Sequence, residues 1–289
     1  MKFIRKKEVA GKEYYYFQYF YKILSKRHLF SKYIGKKIPD NIGTIIDEYF
    51  QEIADNATKE IPKELKKYFE PKSIFHIEEA RFWYKSLYFD TNIINFHLFR
   101  SLFSILFILN SNRAEGSKIT RENIEALIKR KQKPKTLLDH EILNSIDALN
   151  LAFSKKMKWN IKSIKQIHET LLRDTAPKIA GKFKKTDNTV NNNKTASWKL
   201  VGKSLQELLG WLNENRKKLY PQILALKFHH RFESIHPFED GNGRTGRILF
   251  NALLLQNGYM PVIFFSQNHE SYCNAIAQAI LGREKKLSH

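Results

Sequence analysis

From His236 to Arg247 the chain reads His-Pro-Phe-Glu-Asp-Gly-Asn-Gly-Arg-Thr-Gly-Arg, its most specific segment. The segment combines a possible proton acceptor, a carboxylate suited to a metal, flexible glycines and a pair of arginines. Glycine lets a backbone approach an anion closely, and one arginine guanidinium can donate two parallel hydrogen bonds to two oxygens of a phosphate. This combination indicates a phosphate site with a base beside it.

Apolar residues three or four positions apart predict a helix from Pro221 to Ile235, just before this segment. Pro237 should end that helix, because the residue before a proline is disfavoured in helical angles. His236 would then lie at the helix end, where its ring can face a cleft. A neutral imidazole has an ordinary pKa of about 6.5, which suits a base near neutral pH.

A second helix is predicted from about Asn242 into an apolar stretch that ends near Leu254. Its N-terminal amides and its dipole would face an anion. Arg244 and Arg247 are three positions apart, so they share one face of this helix. Asp240 is a hard oxygen ligand beside them and suits a magnesium ion that phosphates already hold.

The segment resembles, without a gap, the motif of the Fic/Doc family, His-x-Phe-x-Asp/Glu-Gly-Asn-Gly-Arg-x-x-Arg. The resemblance implies a mainly α-helical bundle with a β-hairpin flap, and transfer of AMP from Mg-ATP to a protein hydroxyl. It also implies that His236 is the catalytic base, Phe238 the loop anchor and Asp240 the Mg²⁺ ligand. The residues that bind the phosphates of ATP would be Gly241, Asn242, Gly243, Arg244 and Arg247.

A second segment lies upstream, at the end of a strongly apolar predicted helix. Ser111 and Glu115 are four positions apart and share a helix face. With the glycine that follows, they resemble the Ser/Thr-x-x-x-Glu-Gly/Asn pattern of the family's inhibitory helix. That helix would span about residues 98–116 here, so it would lie in the same chain as the core and precede it. The resemblance implies that Glu115 pairs with Arg247 and blocks productive placement of the γ-phosphate. Ser117 stands where family members often have Asn.

Two further parts of the chain resemble the family. Helical spacing from Ile161 to Leu172 is followed by a segment like the flap, a hairpin that holds its target by strand pairing. The flap residues would be Gly181, Phe183, Lys184 and Val190, although an ordinary surface hairpin is the alternative. Beyond the motif, Tyr272 resembles an aromatic that lines the adenine pocket.

The first 38 residues differ from the rest because aromatic residues are dense there, which favours strands. We predict a small antiparallel sheet with strands at Lys2–Val9, Tyr14–Leu24 and Leu29–Ile34. The sheet would dock on the core or a partner. Alternatively, its aromatics and interleaved Lys and Arg residues could stack on single-stranded nucleic acid. A helical accessory region is expected at 39–94 and the Fic domain at 95–282.

Composition limits the remaining choices. The net charge of +21 favours acidic partners such as nucleic acid, an anionic surface or an acidic protein, although the positive charges are spread along the chain. The single cysteine, Cys273, excludes an intramolecular disulfide and fits a reducing compartment. We found no signal peptide and no apolar run that could span a bilayer. A cytoplasmic protein without a membrane segment is therefore expected.

The leading hypothesis is an autoinhibited protein adenylyltransferase that uses ATP, with Mg²⁺ as cofactor, on an unidentified target protein. Self-modification and a homodimer are both compatible with the sequence. One alternative keeps the fold but transfers another phosphate-containing group, such as UMP, a phosphoryl group or phosphocholine, or removes AMP. The other is a non-enzymatic protein that binds nucleic acid or a partner, although the intact motif disfavours it.

Overall fold

The computed structural model describes residues 3–61, 68–87, 93–130, 133–154, 156–190, 193–268, 270, 271 and 274. Helices make up most of these residues, together with a three-stranded sheet and a short hairpin. The predicted fold class, a mainly α-helical bundle preceded by a small antiparallel sheet, is confirmed. Tyr272, expected to line the adenine pocket, lies outside the described residues. In the described part of the chain, no helix is both long and apolar enough to cross a membrane.

The N-terminal sheet is antiparallel and has the strand order β1 (Ile4–Val9), β2 (Lys12–Ile23) and β3 (Lys26–Gly35). The two turns are tighter than the sequence indicated, so β2 begins before Tyr14 and β3 before Leu29. Side chains alternate between the faces of a strand. Phe17 and Tyr21 therefore lie together on one face, where they are buried.

The buried face of the sheet packs against α1 (Ile42–Glu60) and α2 (Pro71–Leu87) through aromatic rings. The rings of Phe17 and Phe50 meet edge to face at 5.8 Å, and Phe50 stacks on Phe82 at 6.3 Å. Such ring pairs stabilise a core beyond the area that they bury. The sheet was expected to dock on the core or a partner, and this face packs on two helices of the accessory region instead.

The helical core follows in chain order. Its helices are α3 (Ile93–Arg113), α4 (Arg121–Arg130), α5 (Leu137–Ala152), α6 (Ile161–Leu172), α7 (Val201–Asn215), α8 (Pro221–Ile235) and α9 (Asn242–Gln256). Between α6 and α7, a hairpin is formed by β4 (Thr189–Val190) and β5 (Asn193–Lys194). The predicted bounds of α6 and α8 agree with the structure, and α9 begins at the predicted residue. Most residues of α9 are buried, so it is the central helix of the bundle.

A buried polar cluster joins α2 to this core. Both tyrosine hydroxyls, of Tyr220 and Tyr259, donate hydrogen bonds to Oε1 of Glu78, at 2.6 Å and 2.7 Å. Burial raises the pKa of each tyrosine well above its usual value, so both remain protonated donors. Arg81 donates to Oε2 of Glu78 and to the carbonyl of Lys22, each at 2.8 Å. The cluster therefore ties α2, β2 and the core together.

Candidate active site

His236 follows the last residue of α8 and has a left-handed backbone conformation, with φ 47° and ψ 63°. Its N–H still donates to the carbonyl of Phe232, at 2.9 Å, so the helix is closed before the chain reverses direction. Few residues other than glycine adopt this conformation, and those that do often lie at functional sites. The imidazole is 18% exposed and therefore reaches solvent. His236 thus ends α8 as Pro237 predicted.

A buried carboxylate supports the imidazole from behind. Oε2 of Glu233 lies 3.5 Å from Nδ1 of His236, and the Glu233 side chain is 6% exposed. Burial raises the pKa of Glu233, but the contact with His236 and the charges of His229 and Arg247 lower it by more, so the net shift is downward. The group is then a carboxylate that orients the ring, which leaves Nε2 for a substrate. Sequence reasoning missed Glu233, although its position three residues before His236 was a signal.

The motif loop is held by reciprocal hydrogen bonds between Phe238 and Asn242. The Phe238 N–H donates to Oδ1 of Asn242, and Nδ2 of Asn242 donates to the Phe238 carbonyl, both at 2.9 Å. Phe238 is fully buried, in keeping with its predicted role as the loop anchor. Both polar atoms of the Asn242 side chain are therefore bonded within the loop. The phosphate contact expected of Asn242 would have to be made by its backbone N–H at the start of α9.

His168 of α6 connects the flap to the motif loop, and sequence reasoning did not single it out. Nδ1 of His168 accepts from the Gly181 N–H at 3.0 Å, and Nε2 lies 2.8 Å from the carbonyl of Asp240. A carbonyl oxygen can only accept a hydrogen bond, so Nε2 carries the proton. Nδ1, which accepts from the Gly181 N–H, is therefore unprotonated. Burial lowers the pKa of His168 to about 4, consistent with a neutral ring. The ring also stacks on Phe238, with centroids 3.7 Å apart.

Asp240 lies on the exposed side of the site, beside the buried Arg244. Nη2 of Arg244 lies 3.1 Å from Oδ2 of Asp240, whose side chain is 58% exposed. No group of three or more His, Cys, Asp or Glu side chains is placed to hold a metal among the described residues. A lone exposed carboxylate beside a phosphate cradle fits magnesium that keeps waters and phosphates as its other ligands. Asp240 is thus suited to Mg²⁺ brought in with a nucleotide.

Arg247 is 1% exposed, and its guanidinium is bound by the end of α3. Nη2 donates to Oε1 of Glu115 at 2.7 Å and to the Ser111 carbonyl at 2.8 Å, while Nε donates to the Ser111 hydroxyl at 3.0 Å. A Cβ atom at Gly243 would overlap with Oε1 of Glu115, so the carboxylate lies against the first turn of α9. Glu115 therefore lies where the N-terminus of α9 would otherwise receive an anion.

Arg244 is likewise in contact with an acid. Its Nη1 lies 3.2 Å from Oε1 of Glu141 on α5. The other oxygen of Glu141 accepts from the Ser117 hydroxyl at 2.8 Å. Ser117 stands where members of the family often have Asn, and its hydroxyl links residues 111–117 to Arg244 through Glu141.

Two flap residues, Phe183 and Lys184, contact the motif loop, whereas Val190 lies in the hairpin beyond them. Phe183 forms a β-bridge with Phe238, and the Lys184 N–H donates to the Pro237 carbonyl at 3.0 Å, so the flap pairs with the motif loop. Lys184 is 3% exposed, and its ammonium donates to Asn188, Thr195 and the Ile235 carbonyl at 2.6, 2.8 and 3.3 Å. The Lys184 side chain therefore points inward and holds the hairpin, while the expected part of Lys184 in binding a target by strand pairing stays a prediction. Val190 lies in β4 and pairs with Asn193.

Comparison with known proteins agrees with this geometry. Residues 158–254 match the model of the Fic/DOC family. The chain is 32% identical to "Protein adenylyltransferase Fic" of Nematostella vectensis over 60% of its own length and 42% of that protein. It is 29% identical to the Drosophila grimshawi protein of the same name, over 57% of its own length and 36% of that protein. It thus spans less than half the length of these curated relatives.

Solved structures show the same fold. A Fic domain containing signaling protein from Bacteroides thetaiotaomicron has a TM-score of 0.62 and 25% identity, and covers 70% of this chain and 80% of that one. Fic-1 from C. elegans has a TM-score of 0.56 over 84% of this chain and 89% of that chain, at 19% identity, which is a likeness of fold alone. Residues 158–254 of the chain are thus similar to the Fic/DOC family in sequence, and the chain is similar to Fic-domain structures in fold.

Proposed function

We propose that the chain is a protein adenylyltransferase held in an autoinhibited state. It would transfer AMP from ATP, with Mg²⁺, to a Ser, Thr or Tyr hydroxyl of a target protein. The observation that carries the proposal is the contact of 2.7 Å between Glu115 and Arg247 inside an otherwise intact motif. The names of the relatives support the activity, although the chain covers 42% of the first of them.

In the proposed reaction, Nε2 of His236 takes the proton from the target hydroxyl. The hydroxyl oxygen then forms a bond to the α-phosphorus, and the bond from that phosphorus to its bridging oxygen breaks, releasing pyrophosphate. Glu233 keeps the imidazole oriented and stabilises its positive charge after the proton arrives. Magnesium bound by Asp240 and phosphates would neutralise charge on the departing pyrophosphate.

The phosphates of ATP would be bound by the start of α9. The first N–H groups of a helix have no partner within the helix, and the helix dipole adds positive potential there. Arg244 and Arg247 lie on the same helix and supply fixed positive charge, which stabilises charge that develops during transfer. His168 acts as a positioning residue, because it fixes the backbone of Asp240 relative to the flap.

Glu115 inhibits the reaction in this proposal by competing with the γ-phosphate. A carboxylate on Arg247 neutralises the charge that the terminal phosphate requires, and a hydrogen bond to a charged group is worth about 1.5–3 kcal/mol. The carboxylate is 30% exposed and lies at the end of a helix, so it can be displaced without unfolding the core. A signal or partner that bends residues 111–117 away from α9 would therefore raise activity.

A cytoplasmic location belongs to the same proposal. The chain has a single cysteine, which suits a reducing compartment, and the proposed substrate is ATP.

The edges of the β4–β5 hairpin offer main-chain groups to a target segment. Strand pairing of this kind would fix the backbone of the target while placing little restriction on its sequence.

Removal of AMP is a second candidate activity of the same site. Glu115 places one oxygen, Oε1, on Arg247 and leaves its carboxylate 30% exposed beside the cleft. A carboxylate in that position can orient a water for attack on a phosphorus. Adenylylated target incubated with the wild type and with Glu115→Gln distinguishes the candidates, since only the wild type would release AMP.

The proposed function is tested by labelling. Wild type, Glu115→Gly and Glu115→Gly/His236→Ala are each incubated with Mg²⁺, α-labelled ATP and a cell lysate. Label on protein is expected with Glu115→Gly, and it should vanish in the double variant. Label from γ-labelled ATP alone would indicate phosphorylation and contradict the proposal. Label found only on the chain itself would show that the protein modifies itself.

A further inference from the structure

The outer face of the N-terminal sheet is the side of β1–β3 that points away from α1. Strand register places the rings of Tyr14, Tyr16, Phe20 and Tyr33 on this face, opposite in direction to the buried Phe17. Packing against α1 and α2 covers only the opposite face of the sheet, the face that carries Phe17. Phe20 is 52% exposed and Tyr33 51% exposed, so these rings are left to solvent. Aromatic rings grouped on a solvent face mark interaction sites.

The charges of the outer face have one sign. Arg5, Lys7, Lys22 and Arg27 alternate with the rings along the three strands. The only acidic residues of β1–β3 are Glu8 and Glu13, which pair with each other on the opposite side of the sheet. The outer face therefore complements a polyanion, through its own residues and not only through the net charge of the chain.

Cations and rings lie next to each other on this face. The Arg27 guanidinium is 4.1 Å from the centre of the Phe20 ring, and Nζ of Lys7 is 4.9 Å from that of Tyr16. The rings of Tyr16 and Tyr33 are 5.3 Å apart. Open sheets that bind single strands use this arrangement, in which bases stack on rings while neighbouring cations contact the phosphates.

We propose that the outer face of the sheet binds single-stranded nucleic acid, with bases on Tyr16, Phe20 and Tyr33 and phosphates on Lys22 and Arg27. A duplex is a poorer fit, because its bases are already stacked and cannot reach the rings. The acidic side chains of a peptide would satisfy the cations, but they carry no flat rings to cover the aromatics, whereas every nucleotide supplies both a phosphate and a base. The proposal is independent of adenylyl transfer, since the sheet lies outside residues 158–254.

The test is fluorescence anisotropy of the full chain with labelled 12-nucleotide oligo(U) and oligo(dT) across a salt series. Tyr16→Ala/Phe20→Ala/Tyr33→Ala should weaken binding about tenfold or more, because base stacking contributes strongly for each ring. Lys22→Gln/Arg27→Gln should weaken binding and flatten the dependence of log K on log salt by about 0.7 for each phosphate that the protein no longer neutralises.

A matched control separates this face from general basicity. Lys217→Gln/Lys218→Gln removes the same number of charges from exposed residues after α7, and binding should change less than about twofold. Equal weakening in the control and in Lys22→Gln/Arg27→Gln would overturn the proposal. So would unchanged affinity in the ring variant, or tighter binding of a duplex or of anionic vesicles than of the single strand. If the triple variant does not fold, Phe20→Ala decides alone, since Phe20 is 52% exposed.

Discussion

Glu78 and Glu115 each accept a hydrogen bond from an arginine, at 2.8 Å from Arg81 and 2.7 Å from Arg247. Their surroundings differ. Both oxygens of Glu78 are bonded, its side chain is fully buried, and two tyrosine hydroxyls complete the cluster. Glu115 is 30% exposed and lies against the helix start that suits an anion.

A short ion pair thus has no fixed role. Where both partners are buried and both carboxylate oxygens are bonded inside the protein, as in the Glu78 cluster, opening the pair leaves an uncompensated buried charge. Where one partner also faces a ligand site, a phosphate can replace the carboxylate at little cost. We therefore expect the Glu78–Arg81 contact to be structural and the Glu115–Arg247 contact to be exchangeable.

The largest effect is expected for the buried pair. Glu78→Ala should lower the free energy of unfolding by about 3–5 kcal/mol, because it strands Arg81 and two tyrosine hydroxyls. Denaturant unfolding followed by circular dichroism measures this change. Glu115→Ala is the matched control and should lower the free energy of unfolding by less than Glu78→Ala, because the Ser111 carbonyl and hydroxyl still accept from Arg247. Equal destabilisation by the two substitutions would remove the distinction between the contacts.

Activity should respond in the opposite way. Glu115→Gly should raise the initial rate of AMP transfer about tenfold to a hundredfold, as expected when a charge-assisted contact of about 1.5–3 kcal/mol no longer competes with ATP. The rate is measured with α-labelled ATP and Mg²⁺. Glu78→Gln, compared at a temperature where it is folded, should leave the rate at the wild-type level. An activated Glu78→Gln would show that loosening the fold is sufficient for activation.

His168 provides a contact that is buried like Glu78 but belongs to the active site. In the Glu115→Gly background, His168→Phe keeps a ring on Phe238 and removes both hydrogen bonds, so kcat/KM should fall about tenfold. His168→Asn can still accept from Gly181, and His168→Gln can still donate to the Asp240 carbonyl. We expect the Gln variant to recover the KM for Mg-ATP and the Asn variant the KM for the target. Identical kinetics in both variants would exclude a positioning role.

The smallest effect is expected at Ser111. Its hydroxyl accepts from Nε of Arg247, but its carbonyl and Glu115 hold Arg247 as well. Ser111→Ala should therefore raise the transfer rate only about twofold to fivefold, in line with a weakening of the inhibitory contact by about 0.5–1 kcal/mol. The same labelling assay measures it. A larger gain than that of Glu115→Gly would make Ser111 the principal inhibitory group.

The elements predicted well from the sequence were those with local signals. Apolar spacing and Pro237 located α8, and the glycine-rich loop located the start of α9. The pair of Glu115 and Arg247 was expected from resemblance, since 132 positions separate the two residues and no spacing rule links them. Local pattern cannot show such a contact.

The residues that sequence reasoning missed take part in contacts between distant elements. His168 contacts residues of the flap and of the motif loop, and Glu78 contacts tyrosines more than 140 positions away. Lys184 was expected to take part in target binding because its segment resembles the family's flap, and the local pattern did not show where its side chain would lie. The side chain is buried and donates to the Ile235 carbonyl at the C-terminal end of α8.

Isothermal titration of Mg-ATP and Mg-ADP shows whether Glu115 takes the place of the γ-phosphate on Arg247. The titrations use the wild type and Glu115→Gly, each carrying His236→Ala to prevent turnover. We expect Glu115→Gly to tighten ATP binding about tenfold or more and to leave ADP binding nearly unchanged, because only ATP has the competing phosphate. Equal changes for ATP and ADP, or no change for either, would contradict it.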